Sequence, residues 1–462
     1  MIKVYLDWNV MAQIKNNQHN ELREVFLEND KFFLPYSTSH IGDLLSGLKE
    51  NETINDYINS DLEFIGKLTK NNCLINTGAD IVLDLYQPHE LFKERAEERN
   101  LFKDLSIDGL EKLFAEDDAT KGISSIFSEL IKAMPLDSAF KEALKNPESA
   151  EQLEKIFPGL TNNPTMEGFF KSFSDMNIGL NEGENYKELR QIVQSGVGIN
   201  RDSIFNTENP LKLIEDKYSK LNIDQKKYIN NSKNAPDWFN EISNEYLLLD
   251  IHGYQEDNVN VKKGRKETFK NTTEDAFHAA FASTCNFYVV NDNKSYNKTK
   301  RIYEKLGINT FVFKPAEFLN FYNKYLNIND IGFNLSYPLR LLIDGEYYEE
   351  KTENDKWKTY YFPYFLFDFF NKMTVVTSNN KSEDPIIVLG QINSKHYKIY
   401  SMEIKRLVNK ISELLGTDIE NIGEINFDEF QKEKWIGRKW KLKNISFRLQ
   451  RLNGHFQFYI DL

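Results

Sequence analysis

The chain is 462 residues long, 40% hydrophobic and 13% aromatic, with a net charge of −12; at roughly 100–200 residues per domain that means two or three folded units, and so much apolar surface excludes a disordered chain. Its two cysteines, Cys73 and Cys285, stand in no zinc, redox or disulfide spacing, so a reducing, cytoplasmic setting is expected, and the lack of a secretory pattern or of a run of about 20 apolar residues leads us to expect neither export nor membrane spanning. The acidic balance excludes a generally basic nucleic-acid binder, so any contact with phosphate has to be local.

Lys3 to Leu6 is β-prone and turns through Asp7-Trp8-Asn9 into a helical pattern from Val10. A second apolar run, Phe32 to Tyr36, reads as a strand; Ser37-Thr38-Ser39 then caps a helix in which Ile41, Leu44, Leu45 and Leu48 recur at helical spacing. From Ala79 to Lys270 the periodicity is helical within charged stretches, among them Leu91 to Phe102, Ile123 to Met134 and Tyr186 to Val193, punctuated by Pro and Gly. Strand and helix then alternate again: Asp275 to Thr284 as helix, Phe287 to Val290 as strand, Thr299 to Leu306 as helix, Thr310 to Phe313 as strand, and a last helix from Pro315. Strands separated by helices of about ten residues imply crossovers and a parallel sheet. Beyond Asn329 come short aromatic strands, the hairpin dipeptides Asp344-Gly345 and Asn453-Gly454, and one helix, Ser401 to Leu415. The expected organisation is thus a discontinuous α/β domain over 1–78 and 271–328, a mostly helical insertion over 79–270, and an α+β domain rich in antiparallel strands over 329–462.

In an open parallel sheet, polar residues placed just after the strands converge in the crevice beyond their carboxyl ends. Asp7 follows VYL, Asp292 follows FYVVN, and Asp43 stands one turn into the helix after FFLPY, while Asp275 lies near the start of the helix before FYVV. Carboxylates gathered within a few ångströms repel one another unless a cation neutralises them, and hard oxygen ligands suit Mg²⁺ or Mn²⁺ rather than zinc. Such ions activate water and stabilise the charge on a leaving phosphate oxygen.

The segments VYLDWNVM, SHIGDLLSG, TEDAFHAAFA and VVNDNKSY, in that order, resemble the motifs of PIN-domain nucleases. In that family the first Asp closes strand one as part of an Asp-x-Asn trio, a second acid precedes Leu-Leu-x-Gly on a helix, a third precedes an Ala-x-His-Ala helix, and a fourth follows a strand as Asn-Asp. Here these positions hold Asp7 with Asn9, Asp43, Asp275 with His278, and Asn291-Asp292. The resemblance covers Met1 to Thr77 and Thr272 to Leu326, and departs from the family in having Asp43 where Glu is commoner and about two hundred residues before the third acid.

The resemblance implies a PIN-like three-layer α/β/α parallel sheet and metal-dependent hydrolysis of phosphodiesters, most often in single-stranded RNA. Asp7, Asp43, Asp275 and Asp292 would hold Mg²⁺ or Mn²⁺ and carry the catalysis, Asn9 would orient Asp7, and His278 and Asn291 would support the site. Lys294 and Lys298, just past Asp292, would steer phosphate into the crevice, and a helix N-terminus near Thr272 would add partial positive charge. A toxin-like or defence-related bacterial endoribonuclease, restrained by its accessory regions or a regulatory protein partner, is the leading expectation. The alternatives are a catalytically silent scaffold and a DNA-directed nuclease.

Each residue also has a plainer use. Thr272 and Asp275 are spaced as a capping-box variant, Asp7 and Asp292 as turn residues, and His278 as a packed helix histidine. The basic runs Lys262, Lys263, Arg265, Lys266, Lys270 and Lys432, Lys434, Arg438, Lys439, Lys441, Lys443 read first as solvated faces. Trp435 to Trp440 reads either as a nucleic-acid contact or as an edge strand guarded by charge.

Overall fold

The computed structural model describes residues 1–46, 55–101, 185–220, 235–255, 269–328, 330–352, 355–378, 385–392, 399–425 and 437–461, with a few single positions between them. The expected helix Ile123 to Met134 and the basic residues 262–266 lie outside the described residues. The chain is mixed α/β with a parallel sheet, and it divides into two units: Val4–Arg23 with Leu34–Lys314, and Met1–Lys3 with Glu24–Phe33 and Pro315–Leu462.

The chain opens with β1 (Ile2–Leu6), buried along its whole length as a strand inside a parallel sheet requires. Helices α1 (Trp8–Lys15) and α2 (Asn20–Glu28) follow. The apolar run after them makes two strands rather than one, β2 (Phe32–Phe33) and β3 (Tyr36–Ser37). Pro35 stands between them and has no N–H to give a ladder, so β2 pairs with the start of β1 while β3 pairs with β4 (Asn72–Asn76). Helix α3 (Thr38–Ser46) lies between these strands in sequence, as does α4 (Asp56–Thr69), whose first turn is capped by the Asn55 side chain accepting from Ile58 N–H at 3.0 Å. Strand β5 (Ile81–Leu85) returns antiparallel to β4 and leads into α5 (Pro88–Leu101).

Next come α6 (Asn185–Val197), α7 (Arg201–Ile204), α8 (Pro210–Lys220) and α9 (Asp237–Ile251), then α10 (Phe269–Ala282), β6 (Phe287–Val289), α11 (Asn293–Leu306) and β7 (Phe311–Phe313). Strand β6 lies between β1 and β7, parallel to both, with Leu6 opposite Val289 and Phe287 opposite Phe311. Cys73 and Cys285 are both buried in this unit. One polar cluster ties its helices together. Asp250 on α9, 1% exposed, accepts from Tyr186 and Arg190 of α6 and from Lys298 of α11. Two cations on one carboxylate hold its acid form well below the usual carboxylate range even though burial pushes the other way.

In the other unit α12 (Pro315–Phe321) runs into a single π-helical turn, Tyr322–Leu326, and Phe32 packs on Phe318 and Tyr322. After α13 (Phe333–Asp344) come β8 (Tyr348–Lys351), β9 (Asp355–Leu366), β10 (Phe370–Ser378), β11 (Ile386–Gly390), α14 (Tyr400–Leu415), β12 (Arg438–Leu442), β13 (Ile445–Leu452) and β14 (His455–Asp461). The strands form one antiparallel sheet in the order β12-β13-β14-β11-β10-β9-β8. Ile404, Leu407, Val408 and Ile411 make the apolar stripe of α14 and share a core with Met373, Leu389, Trp440 and Phe458 from the sheet. Asn453 and Gly454, at φ 50 and 76, make the tight turn between β13 and β14, whereas Asp344-Gly345 ends α13 instead of joining two strands. Among the described residues no helix is long and apolar enough to cross a membrane.

Asp250→Ala would leave the ammonium and guanidinium groups of Lys298 and Arg190 buried without their counter-ion, at a cost of roughly 3–5 kcal/mol. We expect a correspondingly lower denaturation midpoint for the full-length variant. An unchanged midpoint would show that the cluster is not what fastens α6, α9 and α11 together.

Candidate functional site

Because β1 and β6 are parallel and in register, the chain leaves both strands at the same edge of the sheet. Asp7 is the first residue past β1. Its N–H donates to Val289 O at 3.0 Å, and its carbonyl accepts from Val10 and Met11, so its backbone starts α1. The carboxylate is 4% exposed. Its pKa is pushed up to about 6, first by burial and then by the charges of Asp43 and Asp292, against the favourable pull of His278. The contribution of Asn9 comes from its backbone N–H rather than from an orienting side chain, which is exposed.

Asp292 follows β6 and caps α11, where its Oδ2 accepts from both Lys294 and Ser295 N–H at 2.7 Å. Those bonds use one carboxylate oxygen and fix the direction of the other. Asn291 beside it is exposed, and its carbonyl accepts from Lys314 Nζ at 2.7 Å.

Helix α3 presents Asp43 and α10 presents Asp275 and His278, and the two helices pack so closely that the Glu274 carboxylate lies where a Cβ on Gly42 would fall. His278 is fully buried. Its Nε2 meets Asp43 Oδ2 at 3.0 Å and its Nδ1 meets the Tyr5 hydroxyl at 2.8 Å. Burial disfavours its charged form, yet the hydrogen bond and charge of Asp43, with Asp7 and Glu274, raise its pKa above the usual histidine value. From Tyr5 the chain of hydrogen bonds continues to Ser37 Oγ at 2.6 Å and on to His40. His40 Nδ1 accepts from Ser37 N–H at 3.0 Å, so Nε2 carries the proton that it donates to Leu6 O at 2.8 Å. Both nitrogens of His40 are therefore spent on structure, and neither is available as a metal ligand.

Asp275 is not a cap. Helix α10 begins at Phe269, which places Thr272 within the helix and buried, so neither the capping box nor the free helix N-terminus at Thr272 exists. The Asp275 carboxyl is held well above the ordinary range, first by burial and then by Asp43, Asp7 and Asp292, with Lys298 opposing. Lys298 does not line a mouth for substrate. It is 3% exposed, bonded to Asp250 and set over the Tyr246 ring at 5.0 Å, so its charge reaches Asp275 through the protein. Lys294 is half-buried at the first turn of α11.

Four residues at this edge carry no signal in the sequence: Tyr5, Glu274, Tyr246 and Tyr288. Tyr246 comes from α9, in the middle of the helical segment, and bonds Ser295 Oγ at 2.7 Å. The Tyr288 hydroxyl is fully buried, feels the charges of Asp7 and Asp275, and has no hydrogen-bond partner among the described residues. An orphaned donor beside crowded carboxylates suits a site that takes up a cation with its waters, and the all-oxygen donor set suits Mg²⁺ or Mn²⁺. Among the described residues no three His, Cys, Asp or Glu side chains already stand grouped to hold one metal ion, so ligation here requires bridging waters or a small inward movement of the carboxylates. Comparison with protein-family models, with curated proteins and with solved structures found no match for this chain.

The raised pKa of Asp7 has a definite sign in stability. The folded chain holds this proton more tightly than the unfolded one, so its protonation stabilises the fold below about pH 4, and that stabilisation is lost as the pH rises through about 6. At roughly 1.4 kcal/mol per pH unit between the two values, the loss is about 3 kcal/mol. Asp7→Asn should therefore be more stable than the parent at pH 7–8 without divalent metal, by about 1–3 kcal/mol, and no more stable at pH 4. Equal stability of the two proteins at pH 7–8 in chelator would show that burial and the neighbouring charges do not disfavour the Asp7 carboxylate.

Proposed function

We propose that this chain is a divalent-metal-dependent phosphodiesterase of PIN-like type, an endonuclease acting on RNA. One observation carries the proposal: Asp7 and Asp275 come from segments separated by more than 260 residues, yet each is held above the ordinary carboxylate range with Asp43 and Asp292 among the causes. Burial and accumulated charge of this kind destabilise the fold, a cost that a carboxylate placed only for the fold would avoid. Asp275 lies inside α10 and caps nothing, and Asp7, although it stands at the start of α1, keeps a raised pKa despite the Asn9 backbone N–H.

In this proposal the four aspartates hold Mg²⁺ or Mn²⁺, which when bound supplies an activated water and neutralises the leaving oxygen. The chain's own groups do the positioning. His278 fixes one oxygen of Asp43, and Tyr5 and Ser37 fix His278 in turn. Asp292 is held by the first turn of α11, with one oxygen turned away from its cap bonds. The buried ammonium of Lys298 limits the net negative charge behind Asp275, so that the site binds a cation without expelling its own carboxylates.

Asp7→Asn and Asp275→Asn should each reduce Mn²⁺-dependent cleavage of a mixed pool of single-stranded RNA by at least about a hundredfold while leaving the fold intact, since each removes one of the charges that the metal must neutralise. His278→Asn should reduce the rate by about 10–100-fold, because Asp43 then loses the hydrogen bond that fixes it. Cleavage that survives Asp7→Asn undiminished, or that persists in excess chelator, would dispose of the proposal; parallel DNA substrates establish which nucleic acid is cut.

A further inference from the structure

We infer that the Tyr288 hydroxyl is a positioning group of the candidate metal site, the donor that fixes the Asp7 carboxylate when a cation neutralises it, a role that rests on the metal-dependent reading above. Tyr288 on β6 lies directly opposite Tyr5 on β1, and their rings meet edge-on with centroids 5.9 Å apart, so both side chains stand on one face of the parallel sheet. The Tyr5 hydroxyl meets His278 Nδ1 at 2.8 Å, so this is the face that α10 covers. Asp7 stands two residues beyond Tyr5 with an extended backbone, φ −61 and ψ 152, and strand alternation returns its side chain to the same face. On α10, Asp275 precedes His278 by three residues and shares its side of the helix. The Tyr288 phenol is thereby set among Asp7, Asp275 and Tyr246, and the charge of Asp7 acts on it more strongly than that of Asp275.

Three buried tyrosines surround the aspartates, and their hydroxyl groups are used differently. That of Tyr5 is shared between Ser37 and His278, and that of Tyr246 bonds Ser295. That of Tyr288 has no hydrogen-bond partner among the described residues. A buried donor left unpaired costs stability, and the fold gains nothing from this one. Phe287 and Val289 on either side are fully buried and apolar, and a phenylalanine at 288 would fill the same space without burying a hydroxyl.

The hydroxyl finds its use once the carboxylates ionise. An ionised carboxylate only accepts hydrogen bonds, and the Tyr288 phenol keeps its proton, because burial and then the charge of Asp7 hold its pKa well above the usual tyrosine value. Asp43 already has His278 to fix one oxygen, and Asp292 has the first turn of α11. Asp275 has the buried charge of Lys298 acting on it. Tyr288 supplies to Asp7 what His278 supplies to Asp43: a neutral donor, locked in the sheet, that sets the direction of a carboxylate without adding charge.

The test compares the full chain with its Tyr288→Phe and Tyr5→Phe variants, all stripped of divalent metal. Thermal unfolding in chelator should give Tyr288→Phe a midpoint equal to or above that of the parent, since the hydroxyl it loses has no partner, whereas Tyr5→Phe should unfold earlier because it deprives Ser37 and His278 of their shared partner. Calorimetric titration with Mn²⁺ should show Tyr288→Phe binding roughly 10–100-fold more weakly than the parent. The near-ultraviolet difference spectrum on adding Mn²⁺ separates positioning from packing: the parent should show the shifted tyrosine band of a phenol that gains an acceptor, and Tyr288→Phe should lack it. In an Asp7→Asn background the change at 288 should cause no further loss of Mn²⁺ affinity, and a further loss of the same size would overturn the pairing with Asp7. Equal Mn²⁺ affinity of Tyr288→Phe and the parent, the same difference spectrum in both, or a lower midpoint in chelator would each overturn the inference while leaving the metal reading in place. A parent that binds no Mn²⁺ would overturn both.

Discussion

Burial of Asp7 and Asp275 beside the charges of Asp43 and Asp292 is the constraint on which the account of the α/β unit turns. Two of these residues leave the same edge of a parallel sheet, and the other two come from helices packed against each other over Gly42. Such crowding is expensive in a low-dielectric setting, and proteins relieve it by protonation or by taking up cations. The unit moderates the repulsion without abolishing it. His278 answers Asp43, the first turn of α11 answers one oxygen of Asp292, and Lys298 acts on Asp275 from within the protein.

Lys298 also shows why the helices between the two halves of the sheet belong to the site and not merely to its surroundings. Its ammonium is fixed by Asp250 of α9, and the same carboxylate gathers Tyr186 and Arg190 from α6. Tyr246, one turn earlier on α9, reaches Ser295 and feels Asp275. A buried charged cluster contributes less to net stability than its many hydrogen bonds suggest, because desolvation offsets the attraction. Its clearer consequence is positional: α6, α9 and α11 are held in one register behind the carboxylates.

Much of this was legible in the sequence where local chemistry and tertiary context agree. The buried strands Ile2–Leu6 and Phe287–Val289, the helices that follow them, and the Asn453-Gly454 turn all declare themselves through periodicity or turn residues. The acids Asp7 and Asp292 could be placed because a residue just past a parallel strand has little choice of direction. Pro35 was the signal that Phe32 to Tyr36 could not be one strand, and the Asp344-Gly345 dipeptide misled because its backbone closes α13. Lys298 was expected to steer phosphate at the crevice; the partner Asp250, 48 residues away, makes its burial tolerable instead, and no local pattern announces that. Tyr5 and Tyr288 read as core strand residues, and their hydroxyl groups gained a role only when the fold set them beside Asp7, His278 and Asp275. The apparent cap at Thr272 failed because α10 starts earlier, at Phe269.

The most direct measurement is calorimetric titration of Mn²⁺ into the metal-free chain near pH 6.5, repeated in two buffers of different ionisation enthalpy. A cation that neutralises carboxyl groups held above their ordinary range must expel protons from them, so we predict binding accompanied by release of about one proton, weakening as the pH falls toward 5. Binding with no proton release, or no binding at millimolar Mn²⁺, would contradict the idea that crowded carboxylates await a metal.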